Sequence, residues 1–192
     1  MYLVVGLGNP GKEYKLTRHN MGFEIVQELA EKHGMSFKSV QRFNADLAKG
    51  EMFGKEVLIA LPMTYMNLSG NAVRKILDYY KIPVEKLLVV ADDVAIDYGR
   101  LRLRTQGSSG GQKGLKHIEE LLSSKEYARL RIGIGDREHG DLADYVLGKL
   151  NEEERKLLPQ IAKGAVEAIE IWLDKGNKEA IPFANSYTLE NE

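Results

Sequence analysis

The spacing of apolar residues divides the chain into alternating strands and helices. A short apolar strand begins at Tyr2, and helical spacing starts around Met21, with Asn20 as the expected N-cap. The alternating stretch 43–49 and a second predicted strand over 56–61, separated by a turn, predict a β-hairpin. A hairpin places an antiparallel element in the sheet.

Three further strands are predicted in the middle of the chain. The continuous apolar run 87–91 is typical of a central strand covered on both faces, and Asp92 and Asp93 stand at its end. Stretches 100–104 and 129–135 alternate apolar residues with arginines, so their leucines and isoleucines are expected to face inward. The arginines expected to face outward are Arg100, Arg102, Arg104, Arg129 and Arg131.

The remaining regular segments are predicted helices. Ser69 is expected to cap one helix, and the glycine-rich stretch 105–114 leads into another. Asn151 and Glu154 match a capping box at the start of a long helix that ends near residue 176. Pro159 is expected to kink or divide that helix. The last dozen residues are polar, and we expect them to be poorly ordered.

Composition limits the class of protein. The chain has 192 residues, of which 43% are hydrophobic and 29% are charged, and this predicts one folded domain over residues 1–192. There is no cysteine, and no apolar run approaches the roughly 20 residues that cross a bilayer. The N-terminus also lacks a signal-peptide pattern, so we expect a cytoplasmic protein without disulfides and without a membrane partner.

The net charge of −1 conceals an uneven distribution. Residues 100–137 carry 9 basic and 4 acidic side chains, whereas residues 1–99 carry 12 of each and residues 138–192 carry 6 and 12. A basic segment on a nearly neutral protein indicates that a polyanion is bound at one place.

Gly6, Gly8 and Gly11 have the spacing of a dinucleotide-binding loop, G-x-G-x-x-G. In that motif the helix starts within the glycine loop, and an acidic residue about 20 positions on ends the second strand. Here helical spacing starts only around Met21, and the acidic residue would be Glu31, inside the predicted helix. An NAD or FAD site is therefore not favoured.

Polar residues follow the predicted strands at three separate places. Asn9, Asn67 and Asp92 each stand at or just past the end of an apolar strand, and His19 lies in the loop that begins with Asn9. Ligands of open α/β sheets bind at this edge, so two carboxamides, a carboxylate and an imidazole are expected to meet in one crevice. Each residue alone could simply cap a turn, and only their joint placement indicates a site.

These residue types suit hydrolysis. Neutral imidazole can take a proton from water near neutral pH, and a carboxylate on its other nitrogen fixes the tautomer. Carboxamides donate N–H groups to a carbonyl oxygen that becomes negative on attack. Residues 107–110 do not fit the G-x-S-x-G elbow, and no metal-binding motif is present, so neither a serine nucleophile nor a metal or other cofactor is expected. The other histidines, which have no matching partners in the sequence, are His33, His117 and His139.

Taken in order, the short motifs of the chain closely resemble those of bacterial peptidyl-tRNA hydrolases, and they cover nearly all of it. They are Gly6-Leu-Gly-Asn-Pro-Gly11, Tyr14, Arg18-His-Asn-Met-Gly22, Pro62-Met-Thr-Tyr-Met-Asn67-Leu-Ser-Gly70, Asp92-Asp93, Gly110-Gly111, Gly114-Leu-Lys116, Arg129-Leu-Arg-Ile-Gly-Ile-Gly135 and Tyr145-Val-Leu-Gly148. The resemblance implies a monomeric, single-domain α/β enzyme with a mixed, mostly parallel β-sheet flanked by helices. It also implies hydrolysis of the ester between a peptide and the 3′ ribose of tRNA.

The resemblance assigns roles by position. His19 is similar to the family's catalytic base and Asp92 to its orienting carboxylate, while Asn9 and Asn67 are similar to the amides that hold substrate and water. Two further positions, Tyr14 and Met66, resemble residues that line the same cleft.

The implied partner is peptidyl-tRNA, bound through its acceptor stem and 3′ end, with no obligate protein partner. The residues expected to contact the tRNA are Arg100, Arg102, Arg104, Lys116 and Arg131. One departure stands out: the family usually has Gly-Gly-His-Asn-Gly where this chain has Gly110-Gly-Gln-Lys-Gly114. Lys113 therefore replaces a substrate-binding Asn, and we expect it to contact the substrate electrostatically; the alternative is a solvated lysine on a tolerant loop.

Two alternatives remain open at this point. Plastid splicing factors resemble the same family without needing the hydrolase activity, so a noncatalytic RNA-binding relative is one. An aminopeptidase or esterase acting on small free substrates is the other, although it leaves the basic stretch 100–104 unexplained.

Overall fold

The structure, a computed structural model, describes residues 1–190, which form seven β-strands and six α-helices. The strands are β1 (Tyr2–Gly6), β2 (Lys38–Val40), β3 (Ala45–Met52), β4 (Lys55–Pro62), β5 (Leu87–Asp93), β6 (Leu101–Arg104) and β7 (Ala128–Gly133). The helices are α1 (Met21–Lys32), α2 (Ser69–Tyr80), α3 (Lys113–Leu122), α4 (Leu142–Leu147), α5 (Glu152–Lys175) and α6 (Asn177–Ser186).

All seven strands belong to one sheet, in the order β2-β3-β4-β1-β5-β7-β6. The four central strands β4, β1, β5 and β7 run parallel, while β2 and β3 on one side and β6 on the other are antiparallel to their neighbours. The predicted mixed, mostly parallel α/β architecture is thus confirmed. Because the central strands are parallel, their carboxyl ends meet at the same edge of the sheet.

Helices cover both faces of the sheet. Along β1, Val4 packs in a core formed with α1 and α5, whereas Leu3 and Val5 pack in a second core formed with α2 and α3. This double burial explains why the central strands read as continuous apolar runs and not as alternating ones. Among residues 1–190, no helix is both long and apolar enough to cross a membrane.

The first helix docks unusually close to the ends of two strands. A Cβ on Gly6 would lie 2.4 Å from the carbonyl oxygen of Gly22, and one on Gly22 would lie 2.4 Å from that of Val90. A Cβ on Gly8 would lie 2.6 Å from the Phe23 ring. Two glycines of the G-x-G-x-x-G spacing therefore serve helix packing, and this packing brings the segment before α1 against β5.

Several expectations about helix ends need correction. Asn20 is the N-cap of α1, but its side chain makes no capping hydrogen bond. Ser69 is the first residue of α2, not its cap, and its hydroxyl donates to the carbonyl oxygen of Met66 at 2.7 Å. The capping box of Asn151 and Glu154 is confirmed, but α5 continues undivided through Pro159.

The segment after α5 is more regular than its composition suggested. The expectation of poor order is wrong for α6, which extends to Ser186 and packs against β6. Asn185 covers the free edge of β6, because its Oδ1 accepts from the Leu103 amide at 2.7 Å and its Nδ2 donates to the Leu103 carbonyl at 3.3 Å. Residues 191 and 192, at the end of that expected tail, lie outside the described residues.

Candidate active site

A cleft of about 950 Å³ opens at the carboxyl edge of the parallel strands. The start of α3 forms one wall, and the short helix α4 contributes to another. Its polar lining includes Asn9, His19, Asn67, Asp92, Gln112, Lys113, Lys116 and His117, and its apolar lining includes Tyr65, Met66, Leu142, Val146 and Leu147.

The structure brings His19 and Asp92 into direct contact. His19 lies in a 3₁₀ turn immediately before α1, and Asp92 is the sixth residue of β5. The imidazole Nδ1 lies 2.8 Å from Asp92 Oδ2, and both side chains are buried. A carboxylate oxygen can only accept here, so in the neutral imidazole Nδ1 carries the proton and Nε2 keeps its lone pair. This arrangement makes Nε2 a proton acceptor.

Gln112 is a residue of this site that the sequence reasoning missed. Its Nε2 donates to the second Asp92 oxygen, Oδ1, at 3.0 Å, and its Oε1 accepts from the Leu115 amide at 2.8 Å as the N-cap of α3. The cap fixes which end of the carboxamide faces Asp92. The available signal was its position, a polar residue directly before a helical pattern and inside the departure from the family motif.

Asn9 is oriented so that its amide donor remains free. Its backbone is held by Asn20, whose Oδ1 accepts from the Asn9 amide at 2.8 Å and whose Nδ2 donates to the Asn9 carbonyl at 2.9 Å. Its side-chain oxygen accepts from the Met66 amide at 2.7 Å. Within residues 1–190 the Asn9 Nδ2 has no hydrogen-bond partner, and Asn9 lines the cleft, so these N–H groups can serve a ligand.

The other residues expected to touch the substrate differ in their placement. Asn67 and Lys113 are exposed and line the cleft, and Met66 lines it from a buried position. Tyr14 is not among the lining residues; its ring meets that of Tyr65 edge-on, with the centroids 6.3 Å apart. Tyr14 therefore contacts a residue of the cleft wall and does not line the cleft itself.

The arginines of β6 and β7 share one face of the sheet. Antiparallel pairing places Arg102 opposite Arg131 and Arg104 opposite Arg129. Arg102 and Arg104 are exposed, as is Arg100 just before β6, so these three agree with the predicted basic face. Arg129 and Arg131 are buried, and the expectation that they face outward is wrong.

The glycine-rich loop 105–112 lies against these two arginines and accepts hydrogen bonds from both. Arg129 Nη1 donates to a loop carbonyl at 2.8 Å and to Glu119 at 3.0 Å. Arg131 Nη1 donates to another loop carbonyl at 3.2 Å and to Asp93 Oδ2 at 3.3 Å. Arg131 thus links the loop to the end of β5 through buried hydrogen bonds. We do not retain it as a tRNA contact.

A partly buried cluster anchors the turn that carries His19. Arg18 pairs with both carboxylate oxygens of Glu154 at 2.9 and 3.0 Å, and its guanidinium lies 4.3 Å from the centre of the Tyr145 ring. Tyr98 donates to the Glu154 carbonyl at 2.8 Å. Burial, followed by the Glu154 carboxylate, raises the pKa of Tyr98, so it stays a donor. The His19 turn is thereby tied to α4 and α5.

Two of the remaining histidines have partners that the sequence did not reveal. His33 Nε2 lies 2.7 Å from a Glu170 oxygen on the surface, and His117 Nδ1 accepts from the Gly70 amide at 3.0 Å in the cleft wall. His139 is exposed. Over the described range 1–190, no three His, Cys, Asp or Glu side chains converge in a way that could hold a metal ion.

Comparison with known proteins agrees with this geometry. The peptidyl-tRNA hydrolase family model matches residues 3–192. The peptidyl-tRNA hydrolase of Clostridium novyi is 39% identical over 187 residues, covering 97% of this chain and 99% of that protein. That of Carboxydothermus hydrogenoformans is 45% identical over 185 residues, covering 96% and 98%.

A solved structure shows the same similarity in three dimensions. The crystal structure of peptidyl-tRNA hydrolase from Acinetobacter baumannii superposes with a TM-score of 0.93 at 36% identity, covering 98% of this chain and 96% of that one. The sequence and the fold therefore agree over nearly the whole chain. This chain belongs to the peptidyl-tRNA hydrolase family.

Proposed function

We propose that this protein hydrolyses the ester bond that joins a peptide to the 3′ ribose of tRNA, with His19 as general base and Asp92 as its orienting carboxylate. The observation that carries the proposal is the 2.8 Å contact between His19 Nδ1 and Asp92 Oδ2, which leaves Nε2 as an acceptor in a cleft of suitable size. Family membership supports the substrate class.

The chemistry needs one water and no covalent intermediate. His19 Nε2 takes a proton from water as its oxygen attacks the ester carbonyl carbon, and Asp92 stabilises the resulting imidazolium. The carbonyl oxygen becomes negative, and the Nδ2 groups of Asn9 and Asn67 are its proposed donors, each worth roughly 10² to 10³ in rate for such a group. The C–O bond to the ribose then breaks, and the imidazolium returns the proton to the 3′ oxygen. The peptide leaves as a carboxylic acid that loses its proton to solvent, and the other product is tRNA with a free 3′ hydroxyl.

The tRNA body is proposed to lie against the exposed arginines in β6 and immediately before it. Arg100, Arg102 and Arg104 are solvent-exposed, and Lys113 and Lys116 extend positive charge to the start of α3 at the cleft. Phosphate contacts of this kind supply affinity without sequence preference. We further propose that the protein acts in the cytoplasm as a monomer and without a metal ion.

The decisive experiment measures release of an N-acetylated amino acid from its tRNA ester by the purified protein. Wild type is expected to release it and to leave unblocked aminoacyl-tRNA largely intact, whereas His19→Ala, prepared identically, controls for contaminating hydrolases. Binding of the tRNA without release would identify a noncatalytic RNA-binding relative. Equal turnover of a small ester lacking the tRNA would identify a general esterase.

A further inference from the structure

The cleft contains two histidines held in opposite tautomers. His19 Nδ1 faces a carboxylate and must carry a proton, whereas His117 Nδ1 faces the backbone amide of Gly70 at 3.0 Å and must accept. The His117 ring is therefore neutral, with its only proton on Nε2. His19 offers the cleft an acceptor, and His117 can offer only a donor.

The contact that fixes His117 is built into the packing of α2 and α3. Gly70 is in the first turn of α2, where backbone amides lack partners within the helix. A Cβ on Gly70 would lie 2.6 Å from the His117 carbonyl oxygen and 2.9 Å from Nδ1, so the approach requires glycine. One imidazole nitrogen thus caps α2, and its ring orientation is set by two helices and not by its own rotamer alone.

The other nitrogen has no partner inside the protein. Over residues 1–190 His117 Nε2 makes no hydrogen bond, and the atom is not fully buried. His117 itself is partly buried and lines the cleft. Lys113 lies one turn earlier on α3, and Lys116 immediately precedes His117. Glu120, one turn later, also lines the cleft and is the acidic member of this face.

We propose that His117 is a substrate-binding residue whose Nε2–H donates to a phosphate oxygen near the 3′ end of the bound tRNA. The two neighbouring lysines make this wall of the cleft suited to phosphate, and a neutral N–H adds direction to their charge. The proposal rests on the proposed function, because it assumes that the ligand of the cleft is a tRNA ester.

Two substitutions separate the donor from the cap. In His117→Asn the amide oxygen replaces Nδ1 and can still accept from Gly70, but no donor reaches the Nε2 position. In His117→Gln the amide nitrogen can reach the Nε2 position, but the acceptor for Gly70 is lost. His117→Asn is expected to raise KM for N-acetyl-aminoacyl-tRNA about 10-fold, the low end of the range for a hydrogen bond to a charged acceptor, with kcat and Tm near wild type. His117→Gln is expected to keep KM within about 3-fold while lowering Tm.

The dependence of KM on salt separates the proposed neutral donor from the charge of the neighbouring lysines. Because the His117 donor is neutral, the KM ratio of His117→Asn to wild type should be the same at low and high salt, whereas the ratio for Lys113→Ala should shrink as salt rises. An unchanged KM in folded His117→Asn would overturn the proposal, as would a raised KM in both variants that follows their loss of Tm. If wild type itself releases no peptide, the proposed function fails before His117 is tested.

Discussion

The orientation of the Gln112 carboxamide makes a sharp prediction for Asp92→Asn. In the wild type, Asp92 accepts from His19 at 2.8 Å and from Gln112 at 3.0 Å. An asparagine has one oxygen and one NH₂, so it can satisfy only one of these donors. Since the Gln112 oxygen is fixed by Leu115 at 2.8 Å, Gln112 keeps its donor toward residue 92. The new NH₂ must then face His19 Nδ1.

The magnitude follows from two effects. Facing an NH₂ group, His19 is forced into the tautomer with the proton on Nε2. In the productive tautomer the Nδ1 proton would face this NH₂ group, and placing two buried donors against each other costs about 1 to 3 kcal/mol. Loss of the charge on Asp92 weakens the hydrogen bond that stabilises the imidazolium by a further 1 to 2 kcal/mol or so. Together they predict a fall of roughly 30- to 5,000-fold in the chemical step, with substrate affinity retained.

A second substitution should reverse part of this loss. In the double variant Asp92→Asn with Gln112→Glu, one oxygen of the introduced carboxylate can accept from Leu115 and the other from the new NH₂, which turns the asparagine oxygen back toward His19. The correct tautomer and the net charge of the site both return. We expect the double variant to be roughly 5- to 160-fold faster than Asp92→Asn, recovering the tautomer contribution alone. Gln112→Glu by itself should lower activity, because two carboxylates then meet in a buried site.

The assay is single-turnover release of N-acetyl-aminoacyl groups from tRNA with enzyme in excess, so that the rate reports chemistry and not product release. Thermal melting checks that each variant is folded. If the folded double variant is no faster than Asp92→Asn, then Gln112 does not set the orientation of residue 92, and the tautomer argument is refuted.

Four further predictions test the other parts of the site. His19→Ala should keep the circular dichroism spectrum and lower turnover by about 10² to 10⁴, and near-normal turnover would exclude it as the base. Treatment of the protein with a chelator should leave turnover unchanged when the tRNA substrate is folded separately and added afterwards. A loss of turnover that zinc restores would contradict a metal-free reaction. Arg102→Ala/Arg104→Ala should weaken tRNA binding and reduce the slope of log K against log salt by roughly 0.7 to 0.9 per lost phosphate contact; an unchanged slope would place the tRNA elsewhere. Lys113→Ala should weaken binding more at low than at high salt, and equal affinity of the two proteins at low salt would indicate a solvated lysine.

The meeting of His19 with Asp92 could be anticipated because it depends on the sheet. Strand ends are visible in the apolar pattern, and parallel strands bring distant residues such as Asn9 and Asp92 to the same edge. The geometry of side chains on loops was not visible in this way. Gln112 reaches Asp92 only because the loop before α3 folds back over β5, and no local pattern encodes that path.

The burial of Arg129 and Arg131 also could not be predicted from the local sequence pattern. Alternation correctly placed Arg129 and Arg131 on one face of β7, but exposure depends on what lies over that face. The loop that precedes α3 supplies carbonyl oxygens to both guanidinium groups, and the glycine-rich sequence of that loop predicted only that a helix follows it. Likewise α6 has a proline inside it, at residue 182, and is stabilised by contact with β6 and not by its own propensity.

The two cleft histidines explain why residue type alone could not assign their roles. His19 and His117 are chemically identical, and both were visible in the sequence. What distinguishes them is the partner of Nδ1, a carboxylate in one case and a backbone amide in the other. The first leaves a lone pair on Nε2 and the second a proton, so one histidine is suited to accept a proton from water and the other to bind an anionic oxygen. The partner therefore decides the role, and it is set by which strand or helix packs against the ring.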